Sequence, residues 1–235
     1  MNTFWERYHV LIIILSIATA LCFVWLFVFN RKKLNASWWE ILIVCLLHTL
    51  VGVGFVKFFA LLEAGFVASK AGNMSMFGGI FFMPIFYFAY AKIKKLPVGL
   101  VFDIFTVSLV ITLLLARINC LFMGCCIGRY IGDTDRRYAT REAELVYDTL
   151  FLGLAIFFIF KNKFSNKIYL LYLSSYGLFR LICETFRHSD DGKIFHIGHV
   201  WALLSLVIGI TLLIVFNYLQ KEKEIINKIK GDTSN

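Results

Sequence analysis

Long apolar segments are the feature of this sequence that most constrains its fold. A helix of about 20 apolar residues crosses the roughly 30 Å hydrocarbon core of a bilayer. Windows of this kind lie near residues 8–29, 39–62, 76–91, 98–116, 145–160, 168–184 and 197–219. Hydrophobic residues make up 60% of the 235 residues, and no Ser- or Pro-rich linker divides the chain. The sequence therefore predicts an all-α integral membrane protein whose seven transmembrane helices form one polytopic domain over residues 1–235.

Basic residues predict the orientation of these helices. Cytoplasmic loops of membrane proteins carry an excess of Lys and Arg, and basic clusters follow the first, third, fifth and seventh predicted helices. The clustered residues are Arg31, Lys32, Lys33, Lys92, Lys94, Lys95, Lys161, Lys163, Lys167, Lys221, Lys223, Lys228 and Lys230. We therefore expect the N-terminus outside and the C-terminus in the cytoplasm. The same bias explains the net charge of +9 without a nucleic-acid partner.

Arginine is distributed differently from lysine. Eight of the nine arginines lie toward the other side or within predicted helices. A guanidinium group binds phosphate or carboxylate through a planar fork, which an ammonium group cannot do. We therefore infer an outward-facing site for an anionic group. The alternative is that the arginines merely pair with the acidic residues Asp133, Asp135, Glu142, Glu144, Asp190 and Asp191.

A charged stripe interrupts the sixth predicted helix. Tyr176, Arg180, Glu184 and Arg187 are spaced four, four and three residues apart, which places them on one helical face. An ionisable group at the centre of a bilayer costs at least about 2.5 kcal/mol. These groups must therefore either hold one another or hold a ligand.

A compact loop is expected after the fourth predicted helix, between Arg117 and Arg129. It contains Cys120, Cys125 and Cys126, which on an outer face could form a disulfide, bind a metal or offer a nucleophile. Zinc would need further ligands, and no second cysteine pair or clear histidine pair completes the set. We therefore expect small-residue packing, with the option of a disulfide, and no metal.

A glycine pair, Gly78 and Gly79, lies at the start of the third predicted helix. It would let another backbone or a lipid headgroup approach closely and would leave amides available to an oxyanion. Glycine pairs also serve helix packing in membranes. Both alternatives stay open on the sequence alone.

Together, these stretches and their order resemble the prolipoprotein diacylglyceryl transferase family over about residues 72–205. The segment Tyr176-Gly177-x-x-Arg180-x-x-x-Glu184-x-x-Arg187 matches the late motif of that family. The segment from Arg117 to Arg129 fits the spacing of its signature loop, which closes on a Gly-Arg pair. The segment ending in Gly78-Gly79 fits its His-Gly-Gly motif.

The resemblance implies a seven-helix bundle at the bacterial cytoplasmic membrane, with its active site toward the outer leaflet. It implies transfer of the diacylglyceryl group of phosphatidylglycerol, or a related anionic phospholipid, to the lipobox cysteine of a prolipoprotein, with release of glycerol phosphate and without a cofactor. Arg117 and Arg180 would hold the phosphate, and Glu184 would help to orient them. Further substrate-binding candidates are Tyr176, Arg187, Gly78, Gly79, Gly128, Arg129 and Cys120.

The chain departs from the family pattern at the residue that would handle a proton. Phe77 occupies the position of the motif histidine, and a phenyl ring cannot accept a proton. His199 or Tyr176 is the expected replacement. Cys120 and Cys125 also stand where the family has Asn and an acid. Two alternatives therefore remain: the same lipid donor with another acceptor (a lipid headgroup, sugar or peptide), or a non-catalytic phospholipid-binding protein.

Overall fold

The computed structural model describes residues 4–67, 74–188 and 195–232, and helices account for most of them. The helices are α1 Phe4–Val24, a π-helical segment Trp25–Phe29, α2 Asn30–Leu34, α3 Trp38–Glu63, α4 Phe77–Ile93, α5 Val98–Met123, α6 Thr140–Phe160, α7 Ile168–Thr185 and α8 Ile197–Asp232. Within the described residues there is no strand, and only two isolated bridges occur. The prediction of an all-α architecture is confirmed for this part of the chain.

Five helical stretches are long and apolar enough to cross a membrane. They are His9–Leu34, Trp38–Glu63, Val98–Met123, Thr140–Phe160 and Ile197–Glu222. The first of them runs continuously through α1, the π-helical segment and α2. The shorter apolar helix α4 has 17 residues, and α7 has 18 and includes Arg180 and Glu184. These lengths and compositions are those of a helical integral membrane protein.

Helix α5 extends further than the sequence predicts. The apolar window ends at residue 116 because Arg117 follows it, but the helix continues to Met123 and ends at Gly124, which has a left-handed φ of 67°. Arg117 and Cys120 are therefore helical residues rather than loop residues. The prediction fails here because a buried arginine with a carboxylate partner does not end a helix. Helix α6 likewise begins at Thr140, five residues before the predicted window.

Helix α5 forms the centre of the bundle and packs against α1, α4, α6 and α7. Every residue from Asp103 to Ile111 is buried, so this part of α5 is surrounded by protein on all sides. Asp103 also fixes the start of α7, because its carboxylate accepts hydrogen bonds from the Asn166 and Ile168 amides at 2.5 and 3.0 Å. Helix α5 thereby determines where the other helices present their side chains.

Helices α7 and α8 pack closely through small residues. A Cβ atom on Gly177 would lie 2.4 Å from the Leu206 amide nitrogen, and one on Gly209 would lie 2.6 Å from the Ser174 amide nitrogen. The Ser205 hydroxyl donates a hydrogen bond to the Leu173 carbonyl at 2.8 Å. Small residues allow such backbone approach in membrane bundles. The seam between α7 and α8 therefore cannot accept added side-chain volume.

Replacing Gly177 with alanine should lower the free energy of unfolding by about 1–3 kcal/mol, because the new methyl group meets backbone that cannot rotate away. Gly153→Ala is the matched control, since a Cβ there has no neighbour within 4 Å. Thermal unfolding of both variants in one detergent measures the difference. Equal midpoints for Gly177→Ala and Gly153→Ala would show that the seam is looser than described.

Candidate active site

Five charged side chains meet between α5, α6 and α7. They are Arg117 of α5, Glu144 of α6, Arg180 and Glu184 of α7, and Arg187 just beyond α7, and we call them the charged cluster. Arg117 Nη2 and Arg180 Nη1 both pair with the Glu144 carboxylate. Arg180 Nη2 lies 2.8 Å from Glu184 Oε2, and Arg187 Nη1 lies 3.4 Å from Glu184 Oε1. Two carboxylates thus link three guanidinium groups.

Four members of the charged cluster are almost completely buried, and one reaches the surface. The Arg180 side chain is 5% exposed, whereas that of Arg187 is 29% exposed. Removing an ion from water costs several kcal/mol even after relaxation, so these charges are tolerated because they pair. The cluster gathers three guanidinium groups around two carboxylates, and the carboxyl groups of Asp148 and Glu63 lie close enough to interact with them. Arg187 is the member that an anionic group could reach from outside.

The pairing of arginines with acidic residues, which the sequence left open, occurs at Glu144 and at Glu142. Glu144 pairs inside the bundle, whereas Glu142 pairs with Arg141 nearer the surface, where the two charged groups lie 3.6 Å apart. Asp190 and Asp191 lie outside the described residues. The pairing does not satisfy every donor, since the buried Arg180 Nε has no hydrogen-bond partner within the described residues. A bound anion could accept a hydrogen bond from it.

Tyr176 completes the polar lining next to the charged cluster. Its hydroxyl accepts a hydrogen bond from Arg117 Nη2 at 3.5 Å, and its ring lies 6.1 Å from that of Phe77, centroid to centroid. The Arg180 guanidinium carbon lies 5.9 Å from the centroid of the Phe77 ring. The position that the resemblance gives to a histidine therefore does border the cluster. In this chain it offers an aromatic face and no proton acceptor.

A histidine that the sequence analysis missed contacts the charged cluster directly. His196, just before α8, places Nε2 2.7 Å from Glu184 Oε1, and its side chain is 20% exposed. His199 is 4% exposed, and its Nδ1 accepts a hydrogen bond from the His196 amide at 3.4 Å. A Cβ on Gly198 would lie 2.4 Å from Glu184 Oε1, so this glycine permits the approach. His196 and Glu184 lie on different elements, and no sequence spacing relates them.

The glycines Gly78 and Gly79 have their backbone amides engaged. These amides donate hydrogen bonds to the Ser75 and Met76 carbonyls at 3.0 and 3.1 Å. A Cβ on Gly78 would lie 2.3 Å from the Phe55 carbonyl oxygen, which identifies a close contact between α3 and α4. Of the two alternatives that the sequence left open, helix packing is the one these contacts favour at Gly78.

Gly128 and Arg129 lie in the connection between α5 and α6. Gly128 forms an antiparallel bridge with Arg187, and a Cβ on it would lie 2.1 Å from the Tyr138 carbonyl oxygen. The Arg129 guanidinium carbon lies over the Tyr138 and Phe186 rings, 5.7 and 5.6 Å from their centroids. These residues hold the connection against the end of α7, and they thereby position Arg187.

Three cysteine thiols adjoin the charged cluster. The Sγ atoms of Cys120, Cys125 and Cys126 lie within 4.8 Å of one another, and all six cysteines of the chain are free thiols. Arg187 Nη2 lies 3.4 Å from Cys126 Sγ. Hydrogen bonds from the Cys120 and Cys125 thiols lower the pKa of the Cys126 thiol, and the positive charges of Arg187 and Arg117 lower it further against the opposing effect of burial. The expected optional disulfide is not formed here.

Comparison with known proteins agrees with the motif resemblance. The model of the family described as prolipoprotein diacylglyceryl transferase matches residues 6–215. A protein of Dehalococcoides mccartyi strain 195 named phosphatidylglycerol–prolipoprotein diacylglyceryl transferase is 24% identical over 223 residues, which cover 85% of this chain and 84% of that protein. A protein of the same name from strain BAV1 is 23% identical over 190 residues, covering 71% and 73% of the two chains. Another from Desulfotalea psychrophila is 30% identical over 154 residues, covering 57% and 56%.

Proposed function

Since the chain belongs to the prolipoprotein diacylglyceryl transferase family, we propose that it transfers the diacylglyceryl group of phosphatidylglycerol to the cysteine thiol of a lipoprotein precursor. The names of its relatives state this donor and this acceptor class. The observation that carries the proposal is the charged cluster, in which three guanidinium groups meet at the end of a helical bundle. Guanidinium groups are the side chains best suited to bind a phosphodiester.

Arg117 and Arg180 are the proposed phosphate ligands. The sulfur of the acceptor attacks the carbon of the diacylglyceryl group that bears the phosphate oxygen. The bond between that carbon and that oxygen breaks, and glycerol phosphate leaves with an additional negative charge on the oxygen. Guanidinium groups that are fixed before the reaction stabilise this charge most effectively in a site without water. Glu144 pairs with both Arg117 and Arg180 and so joins them across the helix interface. Glu184 holds Arg180 from the other side. The unpaired Arg180 Nε supports a direct contact with the lipid phosphate.

His196 is the proposed acceptor of the thiol proton. A general base must lie within reach of the proton and must be held in a productive orientation. The Glu184 carboxylate, 2.7 Å from His196 Nε2, supplies such an orientation, and the His196 side chain is 20% exposed. This proposal replaces the expectation for His199 or Tyr176. His199 is buried behind His196, and the Tyr176 hydroxyl is engaged by Arg117.

We further propose that seven helices of one domain span the bacterial cytoplasmic membrane. The N-terminus then lies outside, and the site lies near the outer leaflet. Two further spans, α4 and α7, would join the five long apolar stretches. Lys92 and Lys94 lie at the end of α4, and Lys161, Lys163 and Lys167 connect α6 to α7. The charged cluster lies at the opposite ends of α6 and α7, which supports an outward-facing site.

A transfer assay with purified protein in detergent tests the proposed function. Phosphatidylglycerol labelled in its diacylglyceryl group is supplied with a peptide containing one lipobox cysteine. We expect a labelled thioether on the peptide and equimolar glycerol phosphate, both absent with the Cys→Ser peptide. Glycerol phosphate without the thioether would indicate another acceptor. Lipid binding without any product would contradict the transferase assignment and favour a phospholipid-binding protein.

A further inference from the structure

We propose that Cys120, Cys125 and Cys126 bind one Zn²⁺ ion through three thiolates, and that the acceptor cysteine supplies its fourth ligand. Zinc sites in which the protein provides three ligands keep the fourth position for water or substrate. This inference rests on the proposed function, because it assigns a binding site to the acceptor of that reaction.

The distances between the three sulfur atoms fit one tetrahedral ion. Zinc–sulfur bonds of about 2.3 Å place two thiolates of a tetrahedral site about 3.8 Å apart. The three Sγ atoms already lie within 4.8 Å of one another, so a closure of about 1 Å or less completes the geometry. Cys120 is buried, whereas Cys125 and Cys126 are partly exposed. A ligand from outside the protein can therefore reach the site from the side of the last two cysteines.

The backbone after α5 brings these cysteines together. Gly124 and Cys126 adopt left-handed φ values of 67° and 58°, which turn the chain back toward the end of the helix. The Cys125 amide donates a hydrogen bond to the Cys120 carbonyl at 3.2 Å, and the Thr140 hydroxyl donates one to the Cys126 carbonyl at 3.2 Å. A left-handed non-glycine residue is uncommon and persists only when its surroundings impose it. The cysteine arrangement is thus built by several independent contacts.

Arg187 joins the three thiols to the charged cluster. Its Nη2 lies 3.4 Å from Cys126 Sγ, while its Nη1 lies 3.4 Å from Glu184 Oε1. Arg187 thus contacts one proposed zinc ligand and one carboxylate of the charged cluster. Hydrogen bonds to metal-bound ligands also fix their orientation. Through this one side chain, the proposed zinc site adjoins Glu184, the carboxylate that also contacts His196.

The proposed ion has a defined chemical task. A thiol that coordinates Zn²⁺ loses its proton readily, and His196 receives that proton. The sulfur then uses an electron pair to form the bond to the glycerol carbon, and the carbon–oxygen pair leaves with glycerol phosphate. Zn²⁺ neither gains nor loses an electron. The thioether product carries no charge and binds zinc more weakly than a thiolate, so it can leave. The ion would thus activate the acceptor thiol. Phe77, at the position of the motif histidine, cannot do so because a phenyl ring accepts no proton.

The sequence alone argued against zinc because it offers no fourth protein ligand. That argument holds for a structural site, in which the protein supplies all four ligands. A site that receives its fourth ligand from the substrate needs only three. The proposed site departs from the expectation of small-residue packing without a metal, and its basis is the convergence of Cys120 with the vicinal pair Cys125 and Cys126.

Metal binding can be measured independently of activity. Reduced protein in detergent is loaded with Zn²⁺, freed of excess ion and analysed for metal, and a second sample is titrated with Co²⁺. We expect about one ion per chain and a thiolate-to-cobalt absorption band. Cys125→Ala and Cys126→Ala should lose both, whereas Cys45→Ala, a buried change in α3, should retain them. Binding below about 0.1 ion per folded chain, or unchanged binding in Cys125→Ala and Cys126→Ala, would overturn the site.

The fourth ligand is tested on the cobalt protein with the lipobox peptide. The cysteine peptide should shift the cobalt spectrum, and its serine counterpart should not; no shift contradicts the role in acceptor binding. In the transfer assay, removal of zinc should slow turnover at least about 100-fold, with recovery on adding Zn²⁺. Full turnover without metal would reject this inference and leave the proposed function standing. No thioether with or without zinc would reject the proposed function, while the cobalt spectra still decide the metal site.

Discussion

Replacing Arg180 with lysine is expected to lower kcat/KM for phosphatidylglycerol at least about 100-fold, although the positive charge is kept. Arg180 contacts Glu144 through Nη1 and Glu184 through Nη2, and its Nε is proposed to contact the phosphate. A lysine ammonium group is a single point and cannot serve three partners in fixed directions. The loss should appear in turnover with both natural and shortened peptides, because it concerns the lipid donor. The transfer assay measures it.

Arg141→Lys is the matched control for this experiment. Arg141 pairs with Glu142 at the surface, where its side chain is 21% exposed, and exposed pairs contribute about 0–1 kcal/mol. We expect unchanged turnover in this variant. Arg180→Ala is less informative, because removing one partner of a buried ion pair destabilises a protein by about 3–5 kcal/mol. Turnover of Arg180→Lys within a few-fold of wild type would exclude the proposed phosphate contact.

Replacing His196 with glutamine should reduce kcat about 10²–10⁴-fold while phosphatidylglycerol binding is retained. Glutamine can still donate a hydrogen bond to Glu184 but cannot accept a proton at neutral pH. The measurement is the pH dependence of kcat/KM together with a lipid-binding isotherm. In wild type the rate should fall toward acidic pH as the base becomes protonated, and this limb should disappear in His196→Gln. A purely structural role would change binding and leave the shape of the profile intact.

Two further histidine variants test whether His196 or His199 accepts the thiol proton. His9→Gln, an exposed change near the start of the described part of α1, should have no effect. His199→Gln replaces the Nδ1 acceptor of the His196 amide hydrogen bond with an amide oxygen one bond further from the backbone, and it should lower kcat by a smaller factor without removing the acidic limb. If instead His199→Gln abolishes the limb and His196→Gln keeps it, the proton acceptor is the histidine favoured by the sequence pattern.

The helices could be predicted from the sequence because apolar length is a local property. Six of the seven windows differ from the described helices mainly in where an end falls, and α3, predicted at 39–62, is found at Trp38–Glu63. Helix α5 differs for another reason. The charged residue Arg117 was expected to lie beyond its end, but the helix continues through Arg117 to Met123. A partner on another helix made that residue compatible with a continuing helix, and single-sequence periodicity contains no information about such partners.

The site was predictable only where its contacts run along one helix. Arg180 and Glu184 are four residues apart, and the ion pair that was one of the two alternatives for this stripe is present at 2.8 Å. Glu144 on α6 contacts Arg180, and His196, just before α8, contacts Glu184. Their positions depend on how three helices cross, which no spacing in the sequence encodes. The three thiols required, in addition, the left-handed turn at Gly124 and Cys126.

The composition of α7 has a consequence for how this protein is made. On the proposed topology α7 enters the bilayer, yet it is not among the five stretches apolar enough to do so by themselves. Its principal neighbour, α8, is synthesised later, and its charges are neutralised partly by Glu144 of α6. Glu144 precedes α7 in the chain and Glu184 belongs to α7, so both acidic partners of Arg180 are made before α8. Insertion of α7 should therefore be most vulnerable before α8 has followed it, when α7 lacks its principal packing partner.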